Sequence, residues 1–386
     1  MIYLDHNASS PVRPAVREAM LPWLGEQGGS PSSIHASGRL ARQAVESARR
    51  TLAEFLKVHA TQVVFTSGGT EANNSVLSGL AAGKNYQGDI IVSAIEHPSI
   101  LEPCQSLARR GMNIMIAPVD ARGVVDAEWI LSALKPETCL VSVMLANNET
   151  GVIQPIAAIG QGCRARGIPL HVDAIQAVGK IPVDLSRLSV DFLSVSAHKL
   201  GGPKGVGALI VDKRFLLEPL LQGGGQEWGR RSGTENVPGI VGFGAAVAAS
   251  GSSLDEESNR LVQLRTLLEE SVLAEIPDCV IFGRHMPRLP NTTLLGLAGM
   301  EGETLVMNMD LAGFAVSSGS ACASGKVAFS HVLRAMGVAE SLGRGALRVT
   351  LGWNNKAEDV ERFSANFIRV VKRLQNMSGT LTTAGG

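Results

Sequence analysis

The sequence predicts an α/β fold, a mostly parallel seven-stranded sheet with helices on both faces, joined to a smaller α+β domain. Three observations carry that reading. Between residues 62 and 212 seven short apolar runs of strand type alternate with helical patterns, the rhythm of a parallel sheet. Each run is close to continuously apolar, as a strand covered on both faces must be. Near residue 252 the alternation stops, and shorter strands and helices follow. The chain has 386 residues, 45% of them hydrophobic and 43 of them glycine, which suits a large globular core with many tight turns. Lys and Arg number 35 against 35 Asp and Glu, so charge favours neither nucleic acid nor an acidic membrane surface as a partner.

In chain order, a short opening segment precedes two amphipathic helices, the second at Ala36–Lys57 with Leu40, Ala44, Ala48, Leu52 and Phe55 along one side. The predicted strands are Gln62–Phe65, Asp89–Ala94, Asn113–Pro118, Cys139–Leu145, Pro169–Asp173, Phe192–Ala197 and Val206–Asp212. Val237–Leu254 is uncharged but broken by Pro238 and short for a bilayer, which needs about 20 predominantly apolar residues; it reads as a packed core helix. Ser253 and Glu256 have the spacing of a capping box opening a long helix to about Ile276. That helix reads as the link between a large domain, 15–252, and a small one made of 1–14 and 253–386. The closing helix is predicted from Lys356 to about Gln375, with MSGTLTTAGG fraying after it.

Five cysteines, Cys104, Cys139, Cys163, Cys279 and Cys322, form no C-x-x-C pair and no zinc spacing. With no secretory pattern in MIYLDHNASSPVRP, a reducing cytoplasm is the expected compartment.

The chemistry gathers at strand ends. VDFLSVSAHK, Val190–Lys199, is an apolar strand that stops at a histidine and a lysine, and open parallel sheets bind ligands beyond the carboxyl ends of their strands. Other ends carry IEHPS with His97, NNETG with Asn147, and HVDAIQ with Asp173 and Gln176. TSGGTEANN brings Gly69 and Thr70 to a helix start, where free N–H groups favour an anion. Singly, each has an ordinary explanation as a surface charge, a cap or a core histidine. Together, a lysine, an acid, a histidine and an anion site match pyridoxal phosphate, whose aldehyde takes a lysine and whose ring nitrogen takes an acid.

The motifs SGGTEANN, EHPS, NNETG, HVDAIQAVGK, SAHK, RRSGTEN and SSGSACASG, in this order, resemble the pyridoxal-phosphate-dependent cysteine desulfurases of the NifS/IscS type, in the class V aminotransferase group. The resemblance runs from YLDHNASSPV to LRVTLG. It implies the fold type I architecture of pyridoxal-phosphate-dependent transferases and the conversion of L-cysteine to L-alanine, with sulfur passing to Cys322 as a persulfide. By the same resemblance Lys199 is the Schiff-base lysine, Asp173 the partner of the ring nitrogen, and His97 the ring-stacking residue and an acid/base. Gln176 and Asn147 are implied near the phenolic oxygen; Gly69, Thr70, Ser196 and His198 in the phosphate cup; and Arg348 on the substrate carboxylate. Thr234 matches a residue that reaches the phosphate from a second subunit, which implies a homodimer. An iron–sulfur scaffold or sulfur-carrier protein is the implied acceptor.

Cys322 lies in Ser317–Gly325, a run of small residues that cannot fill a core and so reads as a mobile loop. The chain has Ser30 where the family usually has asparagine, and Phe329 where many relatives have proline. A selenocysteine lyase or another class V aminotransferase is the alternative reading. A dinucleotide-binding dehydrogenase is excluded, because GFGAAV at Gly242–Val247 lacks the third small residue and follows no strand.

Overall fold

The computed structural model describes residues 1–25, 27–319 and 329–383. Its large sheet has seven strands in the order Val63–Thr66, Gly207–Val211, Phe192–Ser196, Leu170–Asp173, Thr138–Ser142, Asp89–Ser93 and Asn113–Ala117. Gly207–Val211 runs antiparallel to both of its neighbours, and the other pairings are parallel. Alternation along each strand feeds two apolar layers. Phe192, Leu209 and Val211 meet the helices Gly69–Gly83 and Pro98–Ala108 on one face. Leu193, Val195, Ala208 and Ile210 meet Ala36–Leu56, Ile156–Ala165 and Val237–Gly251 on the other.

In Ala36–Leu56 the buried stripe is Ala41, Val45, Ala48, Leu52 and Leu56, while Leu40 is 45% exposed, so the stripe predicted through Leu40 and Ala44 is displaced around the helix. Close approach explains the difference. A Cβ built on Gly244 of the neighbouring helix would stand 2.8 Å from the Ala48 Cβ, and such proximity selects small side chains and turns the bulkier Leu40 outward. Lys57 ends the helix in the left-handed conformation, φ 56°.

Val237–Gly251 is the buried helix expected, started by Asn236, whose side chain accepts from the Gly239 N–H at 3.1 Å. Among the described residues no single helix is long and apolar enough to cross a membrane. The next helix, Leu254–Glu275, starts where predicted, but Ser253 makes no side-chain cap bond. In place of the expected capping box, Asp255, Glu256 and Glu257 put negative charge at the positive end of the helix dipole.

A second apolar core lies between the helices Leu254–Glu275, Gly302–Leu311 and Ala357–Thr383 and a four-stranded sheet. That sheet has the order Ser317–Ser318, Ala346–Thr350, Thr292–Gly296 and Val280–Ile281. The closing helix continues to Thr383, beyond the predicted end at Gln375. Among the described side chains its apolar stripe includes Val371 and Leu374, and extending a formed helix is far easier than starting one.

The N-terminal strand Ile2–Tyr3 pairs in parallel with Phe314–Ala315 beside this second core. The chain then crosses to the large sheet, where the Ser10 N–H donates to the His198 carbonyl at 2.8 Å. Residues 4–10 therefore pass directly over the carboxyl end of Phe192–Ser196.

Candidate active site

Lys199 closes a short 3-10 turn, Ala197–Lys199, that interrupts the hairpin between two buried strands. The return needs glycine: Gly201 has φ +84°, and a Cβ on Gly202 would stand 2.8 Å from the Ala197 carbonyl oxygen. The Lys199 ammonium donates to the backbone carbonyls of Asn7 at 2.5 Å and Ala8 at 2.8 Å. Burial, then the Arg348 guanidinium, depress its pKa to about 8, against the opposite pull of Asp173 and Asp5.

Asp173 ends the strand Leu170–Asp173. Its Oδ2 accepts from the Asn73 amide at 2.8 Å and its Oδ1 from the Ile175 N–H at 3.0 Å. Burial pushes its carboxyl up, while Asn73, Ile175, His97 and Lys199 act in the other direction. His97 caps the helix Pro98–Ala108, with Nδ1 accepting from the Ser99 N–H at 3.1 Å. Burial lowers its pKa. A neutral ring with Nδ1 as acceptor carries its proton on Nε2.

The helix Gly69–Gly83 begins without a side-chain cap, so its first N–H groups remain available to a ligand. They meet a cavity of about 230 Å³ that Gly69, Thr70, Ser196 and His198 line together with His97, Asp173, Gln176 and Lys199. A Cβ on Gly69 would stand 2.0 Å from Ile175 Cδ1, so the bare glycine backbone is what this wall of the cavity accommodates. Burial, then the nearby lysines, hold His198 down to about 4, a neutral ring at ordinary pH.

A second cavity of about 620 Å³ shares His97, Gln176 and Lys199 with the first and reaches Ser317–Gly319 and Arg348. Arg348 comes from the strand Ala346–Thr350 of the second sheet. Its guanidinium donates to Asp5 Oδ1 at 2.9 Å and to the Asn148 carbonyl at 3.0 Å.

Three expected residues are not at this meeting point. Asn147 is fully buried beside it: its Oδ1 accepts from the N–H groups of Glu149 and Thr150, both at 2.9 Å, and so shapes the turn after the strand. That turn leaves Asn148, not Asn147, facing both cavities, which corrects the sequence assignment by one position. Thr234 is exposed and lies near Phe65, Ser67 and Gly205, outside both cavities. Cys322 lies outside the described residues, although Ser317–Gly319, which leads toward it, lines the larger cavity. Of the two family departures, Ser30 is outside both cavities, and Phe329 packs beside Ile95 and Met144.

The sequence reading missed several polar residues. Asn7 offers its carbonyl to Lys199 and to the Gln176 amide, the latter at 2.9 Å, and its own side chain donates to the Asn148 carbonyl at 3.2 Å. Two acids are buried close by. Burial pushes Glu96 up to about 8 and Glu149 up to about 7, and each accepts from a serine, Ser93 and Ser330 respectively. The only sequence signal for Asn7 was a polar run, Asp5-His6-Asn7, at the end of a short apolar strand.

The donor set fits pyridoxal phosphate. An uncapped helix start with Thr70, Ser196 and a neutral His198 suits a phosphate, a buried carboxylate with no ion pair among the described residues suits a protonated ring nitrogen, and an amine depressed to about 8 suits an aldehyde.

Comparison with known proteins agrees with this geometry. The Aminotransferase class-V family matches residues 2–363. The cysteine desulfurase IscS of Dictyoglomus turgidum is 43% identical over 378 residues, 98% of this chain and 96% of that protein. Among solved structures, a NifS-like protein is 36% identical with a TM-score of 0.90, over 96% of this chain and 99% of that one. SspA in complex with cysteine is 33% identical with a TM-score of 0.80, over 91% of this chain and 99% of that one.

Proposed function

The chain belongs to the class V aminotransferase family, in which it is a pyridoxal-phosphate-dependent cysteine desulfurase, and from that premise we propose how its own residues divide the work. The observation that carries the assignment is the convergence of Lys199, Asp173 and His97 on one cavity that opens into a second holding Arg348. Lys199 bonds the cofactor, Asp173 holds its ring nitrogen protonated, and the start of Gly69–Gly83 with Thr70, Ser196 and His198 holds its phosphate. When bound, pyridoxal phosphate supplies an electron sink for the charge left on the substrate's α-carbon.

Arg348 grips the cysteine carboxylate, for which a planar guanidinium with two parallel donors is suited. Asn148 faces the same space. Lys199, depressed to about 8, has a substantial neutral fraction near neutral pH and can take the α-proton. His97, neutral with its proton on Nε2, lines both cavities and would exchange a proton with the substrate thiol. The Cys322 thiolate attacks the substrate sulfur, so an S–S bond forms as the C–S bond breaks and its electron pair stays with carbon. Carbon is reduced and protonated to alanine, and sulfur is oxidised to the sulfane level. The reaction balances without an external oxidant.

The active form is proposed to be a homodimer, in which Thr234 serves the partner's phosphate site. Large apolar side chains exposed in two segments support this: Leu21, Leu24, Ile34 and Leu40 in one, Leu216, Leu220, Leu221 and Trp228 in the other. The four described cysteines are free and buried, as suits the reducing cytoplasm in which we place the enzyme. The acceptor is proposed to be an iron–sulfur scaffold or a sulfur-carrier protein. The assignment of Cys322 is tested by incubating the holoenzyme with cysteine, trapping persulfides and mapping the labelled peptide, alongside Cys322→Ser. The label is expected on Cys322, with alanine release lost in the variant; undiminished alanine formation in Cys322→Ser with a physiological sulfur acceptor present would remove Cys322 from the reaction.

A further inference from the structure

The proposed division of labour leaves one buried charged side chain without a task. Lys180 is 7% exposed, and its Nζ donates to Asn7 Oδ1 at 2.9 Å and to Gln176 Oε1 at 2.8 Å. Among the described residues no carboxylate forms an ion pair with it. The titratable groups whose charges act on it or feel it are Lys199, Arg348, His6 and His198, and all four are basic. A buried amine surrounded only by bases is destabilised as a cation unless an anion is supplied. Burial, then Lys199 and Arg348, accordingly hold its pKa well below that of a free lysine.

The hydrogen-bond directions show what the amine does. The Lys180 nitrogen donates to both amide oxygens, and as an ammonium it can only donate, so it favours the orientation in which Asn7 and Gln176 turn those oxygens toward it. The Gln176 nitrogen is thereby left to donate to the Asn7 carbonyl at 2.9 Å, the same carbonyl that receives Lys199. The Asn7 side-chain nitrogen is left to donate to Thr292 Oγ1 at 2.9 Å and to the Asn148 carbonyl at 3.2 Å, and that carbonyl also accepts from Arg348. Lys180 thus sets the polarity of the network from Lys199 to Arg348 together with the Asn291 amide, which donates to Asn7 Oδ1 at 3.1 Å, and the acceptor-only carbonyls of Asn7 and Asn148.

We infer that Lys180 is a positioning residue which, through Asn7 and Gln176, orients the hydrogen bonds at Lys199 and keeps a positive charge beneath the cofactor cavity, lowering the proton affinity of the Lys199 nitrogen in the holoenzyme. The inference rests on Lys199 being the cofactor lysine. Gln176, which Lys180 bonds, lines the cavity, so the anionic groups of a bound cofactor would lie beyond that one side chain and would favour the charge on Lys180. Two nitrogens bound to one asparagine are close enough for that charge to count, and in a partly buried site it is worth about one pH unit or more at Lys199.

The test is a pH titration of the visible absorption band of the holoenzyme, with no cysteine present, for the wild type, Lys180→Gln and Lys180→Arg. Removing the charge is expected to raise the midpoint by about one pH unit or more, and Lys180→Arg, which keeps a donor-only cation, is expected to stay close to the wild type. Thermal melting of each variant separates this from a loss of fold, since a purely structural residue would lower melting without moving the midpoint. If Lys180→Gln folds, binds the cofactor and titrates like the wild type, the inference is overturned. If the wild type shows no pH-dependent lysine-linked band, the failure is that of Lys199 as the cofactor lysine instead.

Discussion

The depressed amine of Lys199 can be measured without turnover. An ordinary lysine near the reference value of 10.5 is neutral in about one molecule in a thousand at pH 7.5, whereas an amine titrating at about 8 is neutral in about one in four. The nucleophilic fraction therefore differs by about two-hundredfold. Competitive labelling of the apoenzyme with a small neutral acylating reagent, read peptide by peptide by mass spectrometry between pH 6 and 11, gives this fraction directly. Labelling of Lys199 is expected to rise tenfold per pH unit below about 8 and to level off above it, while exposed lysines continue to rise.

The neighbours give the prediction a sign as well as a size. Burial contributes the largest downward effect and the Arg348 guanidinium the next, with Asp173 and Asp5 opposing them. Arg348→Met removes a cation and is expected to move the Lys199 midpoint upward. Asp5→Asn removes an opposing anion and also strips Arg348 of its ion pair at 2.9 Å, so both effects move the midpoint downward. A wild-type midpoint near 10.5, or a downward shift in Arg348→Met, would refute the reasoning, because neither agrees with a buried amine facing an arginine.

Two further perturbations separate scaffold from site. Arg49 donates to both carboxylate oxygens of Glu227, at 2.7 and 2.8 Å, beneath the exposed Trp228 and with both partners of the pair buried; Glu227→Gln removes the buried countercharge and leaves the guanidinium with the Val63 carbonyl and the half-exposed Glu46 at 3.0 Å, and is expected to destabilise the fold by about 3 kcal/mol in urea denaturation, a loss under about 1 kcal/mol counting against the pair. Asn147→Ala leaves the N–H groups of Glu149 and Thr150 without their acceptor and is expected to lower the melting temperature, whereas Asn148→Ala, altering a side chain that faces the cavities, is expected to reduce kcat/KM for cysteine with melting unchanged; the opposite pattern would restore the assignment to Asn147.

Six of the seven strands were legible because every residue in them is buried, the edge strand Asn113–Ala117 being the exception, and an apolar run of four or five residues bounded by turn formers has few other readings; the seven strands begin or end within three residues of the predicted limits. The residues at their ends were legible for a related reason, since Lys199, Asp173 and His97 interrupt apolar runs where only a ligand or a cap explains a polar side chain. Single-residue distinctions were not legible. Asn147 and Asn148 are adjacent and identical in chemistry, and only the path of the turn decides which one faces the cavity. The displaced stripe on Ala36–Leu56 was equally hidden, because the close approach at Gly244 that turns Leu40 outward depends on a partner helix some two hundred positions away.

Asn7 shows why the remainder of the site escapes a linear reading. Its partners Gln176, Lys180, Lys199 and Thr292 lie between 169 and 285 positions away in the chain, so no periodicity or local motif could reveal them. The physical need was nonetheless implicit in the sequence: a lysine buried at a strand end must find acceptors for its protons. The first ten residues supply them because they leave the pairing with Phe314–Ala315, beside the second core, at Tyr3 and cross the end of Phe192–Ser196 before joining the large core. The same segment carries Asp5, which holds Arg348 from the second sheet. One short crossing thus ties the lysine of the first core to the arginine of the second, and a shift between the two cores must disturb both the hydrogen bonds of Lys199 and the ion pair of Arg348.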